Sequence, residues 1–204
     1  YLDNYGIRYE AINQLYEDRD SVLWIATDQG LYYTSNFSTD IVNMYLSAIP
    51  GQYSVTDLTE LQNGDYWIST WGKGIITLGR NFKPYPSPLY KNMQHVPAGN
   101  VQTYKLTWSM CQQKTTGKIY IGCQYGFLMV HDVKTQQTEY LHPPEFDNRT
   151  IRYIVEDKNN MLWFGTQAGR LIKYDGKTYR TILDLGAGAI IYKLLVDTDG
   201  WIWV

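Results

Sequence analysis

Two adjacent acid pairs, Glu17-Asp18 and Glu156-Asp157, are the residues of this sequence best suited by type to acid–base work. Paired carboxylates cleave glycosidic bonds when one donates a proton and the other attacks or activates water. The surroundings of these pairs argue for another role. Each pair is followed at one fixed interval by an indole, Trp24 or Trp163, and then by a glycine, Gly30 or Gly169. An acid that recurs at one point of a repeated pattern, just where the chain must turn, is expected to accept local backbone N–H bonds. The pairs are therefore read as turn devices, and no catalytic residue is assigned.

Other chemistry is thinly represented. His95, His131 and His142 lack metal-ligand spacing, and Cys111 and Cys123 fall in no zinc pattern, so the histidines are expected at the surface or in loops. There is no phosphate-cradling glycine loop and no nucleophile elbow, and no metal or cofactor is expected. The two cysteines flank a turn at Thr115–Lys118 and are expected on neighbouring strands. Either a bridge or two small buried thiols would suit them, the second being the plainer reading. A net charge of −2, from 18 basic and 20 acidic side chains, gives no basic surface with which to replace phosphate counterions, which argues against nucleic acid as a partner. The best apolar run, 187–196, is broken by Lys193 and too short to span a membrane, so no membrane contact is expected. No leader opens the sequence, so an exported protein would have lost it or carried it outside these residues. Asn36-Phe37-Ser38 and Asn148-Arg149-Thr150 match glycosylation sequons, which matter only in a eukaryotic secretory setting.

The elements that carry these residues repeat. A short apolar run leads to a turn cluster, then to a strand built round Trp24, Trp67, Tyr120, Trp163 or Trp203, then to a second turn with glycine. The anchors recur about every 40–45 residues, the period of propeller blades. The third copy is lengthened by residues between Asn81 and Tyr104. Aromatics make up 15% of the chain, with 19 Tyr and 7 Trp, residues that favour pleated, half-buried surfaces. No stretch carries a sustained helical period with caps. The expected fold is all-β: a partial β-propeller of four-stranded antiparallel blades, about four and a half repeats, in one domain over 1–204. The blades are placed at 9–48, 53–90, 104–143 and 150–185, with an incomplete blade at 187–204. In this architecture each anchor ring fills the wedge between neighbouring blades.

The pattern Ile-x-x-Leu/Ile-x-Glu-Asp…Leu-Trp-Ile/Phe-Gly/Ala-Thr-x-x-Gly-Leu resembles the two-component regulator propeller repeat. The first and fourth copies match closely, the others loosely. The resemblance implies the periplasmic sensor domain of a hybrid two-component histidine kinase of Bacteroidetes, with the kinase itself outside these residues. Many such sensors answer to polysaccharide fragments, so an oligosaccharide and neighbouring domains of the same polypeptide are the implied partners. Such propellers have about seven blades, so either the parent protein continues or two copies cover each other's open edges as a homodimer. Asp157…Trp163 and Asp197…Trp203 are superficially similar to the Asp box of propeller sialidases, but the spacing is longer and the Ser-x-Asp start is missing. A carbohydrate-active hydrolase or lyase, or a plain interaction scaffold, are the rival readings.

Propellers bind ligands on faces built from turns between the second and third strands and from links between blades. Those turns are Asp28-Gln29, Trp71-Gly72-Lys73, Gln124-Tyr125 and Gln167-Ala168. Trp71 is an indole beyond the wedge residue Trp67 and is suited to stacking on a sugar, with Lys73 beside it. Tyr125, Gln167 and Arg170 are expected near the same face, and Tyr53, Arg149 and Arg152 on the inter-blade links.

Overall fold

The computed structural model describes residues 9–35, 42–43, 53–91 and 93–204. The sequon at Asn36 and the end of the first blade beyond Asn43 lie outside the described residues. The chain divides into two compact units, Tyr1–Ser87 and Pro88–Val204, where the sequence reading takes one domain.

The first unit holds two antiparallel four-stranded sheets, each in chain order. One comprises β1 (Ile12–Glu17), β2 (Val22–Thr27), β3 (Gly30–Ser35) and β4 (Val42–Asn43); the other β5 (Val55–Glu60), β6 (Tyr66–Thr70), β7 (Gly74–Leu78) and β8 (Pro84–Tyr85). The second unit holds two more: β9 (Thr107–Gln112), β10 (Ile119–Cys123), β11 (Leu128–Asp132) and β12 (Gln137–Leu141), then β13 (Ile151–Glu156), β14 (Leu162–Thr166), β15 (Arg170–Tyr174) and β16 (Tyr179–Asp184). A two-stranded piece, β17 (Leu195–Val196) with β18 (Ile202–Trp203), follows. Residues 81–104, unmatched in the repeat, carry β8 as the fourth strand of the second blade. Three 3-10 turns and one short helix, α1 (Ala98–Val101), then lead on to β9. Leu89, Val96 and Tyr104 anchor this stretch by burial, with the Tyr104 ring edge-on to Phe127 and Tyr140.

The first turn of the first, fourth and fifth blades is closed by one recurring device. Asp18 Oδ1 accepts the N–H groups of Asp20 and Val22, and Oδ2 accepts the Trp24 indole at 2.8 Å. Asp157 does the same for Asn159, Met161 and Trp163, and Asp197 for Asp199, Trp201 and Trp203. The acids are thus committed to folding, as their recurrence implied. The fourth turn residue takes a left-handed conformation, φ 84° at Gly64 and 92° at Gly200, which selects Gly, Asn or Ser there.

Within a unit, the anchor rings glue one blade to the next. Trp24 is buried among Val55, Leu58, Tyr66 and Ile68 of the following blade. Tyr120 packs with Ile154, Leu162 and Phe164, while Trp163 packs with Ile191, Leu194 and Ile202. Trp67 is buried too and donates to the Tyr85 hydroxyl, whereas Trp203 is 62% exposed. Two residues after the anchor, the chain needs a small side chain: Ala26, Ser69, Gly122 and Gly165. A Cβ on Gly122 would lie 2.5 Å from Ile151 Cγ2, and one on Gly165 2.4 Å from Ile191 Cγ2.

One sequence expectation is corrected. His131 is not a surface or loop residue but lies in β11, 1% exposed, with Nδ1 3.0 Å from Thr138 Oγ1. It occupies an inward position of a strand buried on both faces, and burial holds its pKa below the ordinary value. The cysteines do lie on neighbouring strands, but Cys111 pairs with Tyr120 and Cys123 with Thr107, and no disulfide joins them. Cys123 fills the place taken by Thr27, Thr70 and Thr166 in the other blades.

Candidate ligand-binding face

The first strand of every full blade carries the same irregularity. Register skips one residue after Ile12, Val55, Thr107 and Ile151, leaving Asn13, Thr56, Trp108 and Arg152 as the extra residue of a β-bulge. Bulges re-aim a side chain and gather beside functional sites. The bulge sits where the first strand meets the turn between the second and third strands: Trp71, Gln124 and Gln167 donate their N–H groups to Ser54, Leu106 and Thr150. First strands run beside one another within each unit, β1 with β5, β9 with β13 and β13 with β17. The bulge residues are therefore neighbours.

In the first unit, Asn13 Nδ2 donates to the Val55 carbonyl across the blade junction, and Thr56 Oγ1 bonds Ser69 Oγ at 2.9 Å within its own blade. Trp71 is 52% exposed on its turn, with Lys73 exposed beside it. Tyr53 packs half-buried against the core shared by the two blades.

In the second unit, the three arginines divide. Arg149 Nη1 lies 3.0 Å from Asp184 Oδ1 and donates to the Ala168 carbonyl. Arg170 reaches Asp184 Oδ2 at 3.2 Å, Asp147 Oδ2 at 3.3 Å and the Glu145 carbonyl. The bonds from Arg149 and the Gly186 N–H hold the Asp184 pKa at about 2, so this cluster stays ionised. Arg149 and Arg170 thus tie the link 145–149 to β15 and β16. Arg152 differs. Its guanidinium lies 3.8 Å from the centre of the Trp108 ring and 5.3 Å from that of Tyr192. Tyr192 follows Ile191 as Arg152 follows Ile151, and Trp108 is the bulge residue of the preceding blade.

Around this cation–π cluster, Gln124 Oε1 accepts the Trp108 indole at 2.6 Å and the Tyr125 N–H bonds Thr150 Oγ1. Tyr125 is 54% exposed and Tyr192 59%. Gln167 is exposed and bridges to Ile190. Sequence reading expected Tyr125 and Gln167 on the turns between second and third strands, where they lie, and Arg152 on an inter-blade link, whereas it lies within β13 at the bulge. It missed Trp108 and Tyr192. The signal that could have found them is their shared place, one residue after the aliphatic that opens each blade.

A cavity of about 390 Å³ opens at the opposite end of β13, lined by Lys114, Tyr153, Glu156 and Leu194 among others. The carboxylates Asp157 and Asp197 on its wall are those committed to turn closure. Among the described residues no group of three or more His, Cys, Asp or Glu is placed to hold a metal. No helix among them is long and apolar enough to cross a membrane.

Four-stranded antiparallel sheets in chain order, wedged apart by one ring per sheet, are the blades of a β-propeller. Residues 6–29 and 145–168 match the family model of the two-component regulator propeller. Among solved structures it is similar to the extracellular domain assigned to a hybrid two-component system of B. thetaiotaomicron, with TM-score 0.74 and 20% identity, over 97% of this chain and 26% of that one. The extracellular domain assigned to a one-component system of the same organism gives TM-score 0.69 and 19% identity, over 97% and 27%. PorZ, a surface component of the type-IX secretion system of Porphyromonas gingivalis, gives 0.65 and 14%, over 94% and 31%. The chain thus spans between a quarter and a third of the length of these neighbours. No curated protein matches it.

Proposed function

We propose that the chain is a ligand-sensing module of a hybrid two-component sensor. It acts in the periplasm, binds an oligosaccharide and passes that event to kinase domains elsewhere in the same polypeptide. The observation that carries the reading is the bulge repeated at one end of every full blade, beside exposed rings. Trp71 with Lys73 in one unit, and Trp108, Tyr125 and Tyr192 in the other, are the proposed contact groups. Aromatic faces stack on the apolar faces of pyranose rings, while amides such as Gln124 and Gln167 bond the hydroxyls. The module works by binding energy alone. A ligand that favours one placement of the domains over another shifts the population toward it, to the extent of its differential affinity. The likeness to extracellular domains of two-component systems supports this placement in a signalling protein, and the commitment of Asp18, Asp157 and Asp197 to turns supports a non-catalytic role.

A thermal-shift screen of oligosaccharides on the full-length protein tests the reading. A true ligand at about 100 times its Kd stabilises the fold by about 2.7 kcal/mol. Trp71→Ala and Tyr125→Ala are expected to weaken the shift without lowering the melting temperature of the free protein. The reading fails if no oligosaccharide stabilises the protein, or if both variants respond as fully as the parent.

A further inference from the structure

Arg152 is the one member of the blade-four arginine trio that its surroundings leave without a counter-charge. Arg149 and Arg170 share Asp147 and Asp184. Among the described residues, no carboxylate or carbonyl accepts a hydrogen bond from Arg152. Its company is aromatic: Trp108 at 3.8 Å and Tyr192 at 5.3 Å. A guanidinium held against a ring face keeps its N–H donors in its own plane, pointing away from the ring. The rings thus hold the cation while leaving the N–H donors at its edge without an acceptor among the described residues. That edge matches a planar carboxylate in bidentate fashion, and a sulfate oxygen pair nearly as well. Half-burial makes the unmet donors costly, and the resulting desolvation lowers the pKa of the group, which remains a cation throughout the physiological range. Gln124, held by the Trp108 indole, and the exposed rings of Tyr125 and Tyr192 supply neutral contacts on either side.

We infer that the ligand is an anionic oligosaccharide whose acidic group is received by Arg152. This rests on the sensing role proposed above and narrows it to a substrate class. Uronate carboxylates and sulfate esters share the required chemistry, and the test separates them. The bulge helps to set this placement: register skips Arg152 between Ile151 and Tyr153, and a bulge re-aims the side chain of its extra residue.

Calorimetric titration of the full-length protein would use three probes: a galacturonate oligosaccharide, its carboxyl-reduced counterpart, and a sulfated neutral oligosaccharide. At least one anionic probe should bind about 10–100-fold more tightly than the reduced one, the range of a charge-assisted bidentate pair. Arg152→Gln should erase that preference and leave the weaker affinity for the reduced sugar in place. Arg152→Lys, which keeps the charge but not the planar fork, should recover only part of it. The retained affinity shows that the variants are folded. Equal binding of anionic and reduced probes, or an unchanged preference in Arg152→Gln, overturns the inference while leaving oligosaccharide sensing intact. Failure of all three probes in a protein that other neutral sugars stabilise also overturns it. A protein that no sugar stabilises defeats the sensing role itself.

Discussion

Replacing Asp18 with alanine is expected to cost about 3–5 kcal/mol of unfolding free energy, the range for orphaning buried polar groups. Asp18 is 6% exposed and its carboxylate accepts four hydrogen bonds. Two come from the turn N–H groups of Asp20 and Val22, and two from the Trp24 indole and the Tyr66 hydroxyl of the next blade. Alanine leaves the indole and the phenol without an acceptor inside the wedge. Asp197 makes the matching bonds with Trp203, but that indole is exposed and water replaces the lost acceptor. Asp197→Ala should therefore cost under about 1 kcal/mol. Urea denaturation of the two variants compares them directly, and equal losses would mean that the Asp18 network does not hold the first two blades together.

The same network fixes a pH dependence. Burial pushes the Asp18 pKa up, but the bonds from Trp24, Val22, Tyr66 and Asp20 outweigh it, and the folded-state pKa lies below the ordinary carboxylate value. The unfolded chain therefore takes up this proton first on acidification. Stability from Asp18 is complete above the unfolded pKa of about 4 and is lost as pH falls through the folded value. Asp18→Asn should flatten the part of the stability profile below about pH 5. A profile unchanged by the substitution would contradict this assignment.

Gly122→Ala is expected to be nearly as damaging, at about 3 kcal/mol, the upper range for overpacking a well-filled junction. The new Cβ would meet Ile151 Cγ2 at 2.5 Å, Ile151 Cβ at 2.8 Å and the Ile151 carbonyl oxygen at 3.1 Å. Trimming Ile151 leaves its Cβ and carbonyl in the way, so Ile151→Ala should rescue little. Gly165→Ala differs, because its closest contact is Ile191 Cγ2 at 2.4 Å while Ile191 Cβ stands at 3.1 Å. Ile191→Ala removes that methyl. The double variant Gly165→Ala/Ile191→Ala should be more stable than the sum of the single losses predicts, a coupling of about 1 kcal/mol or more. Additive losses would contradict a tight contact between Gly165 and Ile191. Each of these aliphatics precedes a member of the cation–π cluster, Arg152 after Ile151 and Tyr192 after Ile191. A shift of either aliphatic is also expected to weaken ligand binding.

The blades were legible because their determinants are local and repeated. The Asp-to-Trp interval, the Asn or Gly at the fourth turn position and the small residue two beyond the anchor each answer to one backbone or packing need. They recur in recognisable types. Where a blade meets the need differently the signal fades. Gln113 stands in the Asp position of the third blade, and its Nε2 donates to the Asn160 carbonyl of the next blade instead of closing an indole bond.

The proposed ligand face was harder to read. The bulge is a property of register, and Asn13, Thr56, Trp108 and Arg152 have no residue type in common, so no motif marks it. Arg149, Arg152 and Arg170 look equivalent along the chain. Only the folding of Asp147 and Asp184 to one side separates the neutralised pair from the open cation. His131 was misread for a related reason: its strand is buried on both faces, so it lacks the polar alternation that would have revealed the imidazole as an inward residue.

Amide hydrogen exchange of the full-length protein, with and without an oligosaccharide that raises its melting temperature, tests the account most directly. Slowed exchange is predicted in the bulged starts of β9 and β13, around residues 107–109 and 151–153, in the segment 191–193 and in the turns at 124–126 and 167–169. Protection confined to the opposite ends of the blades, at the Asp-closed turns 113–118 and 157–161, would contradict it.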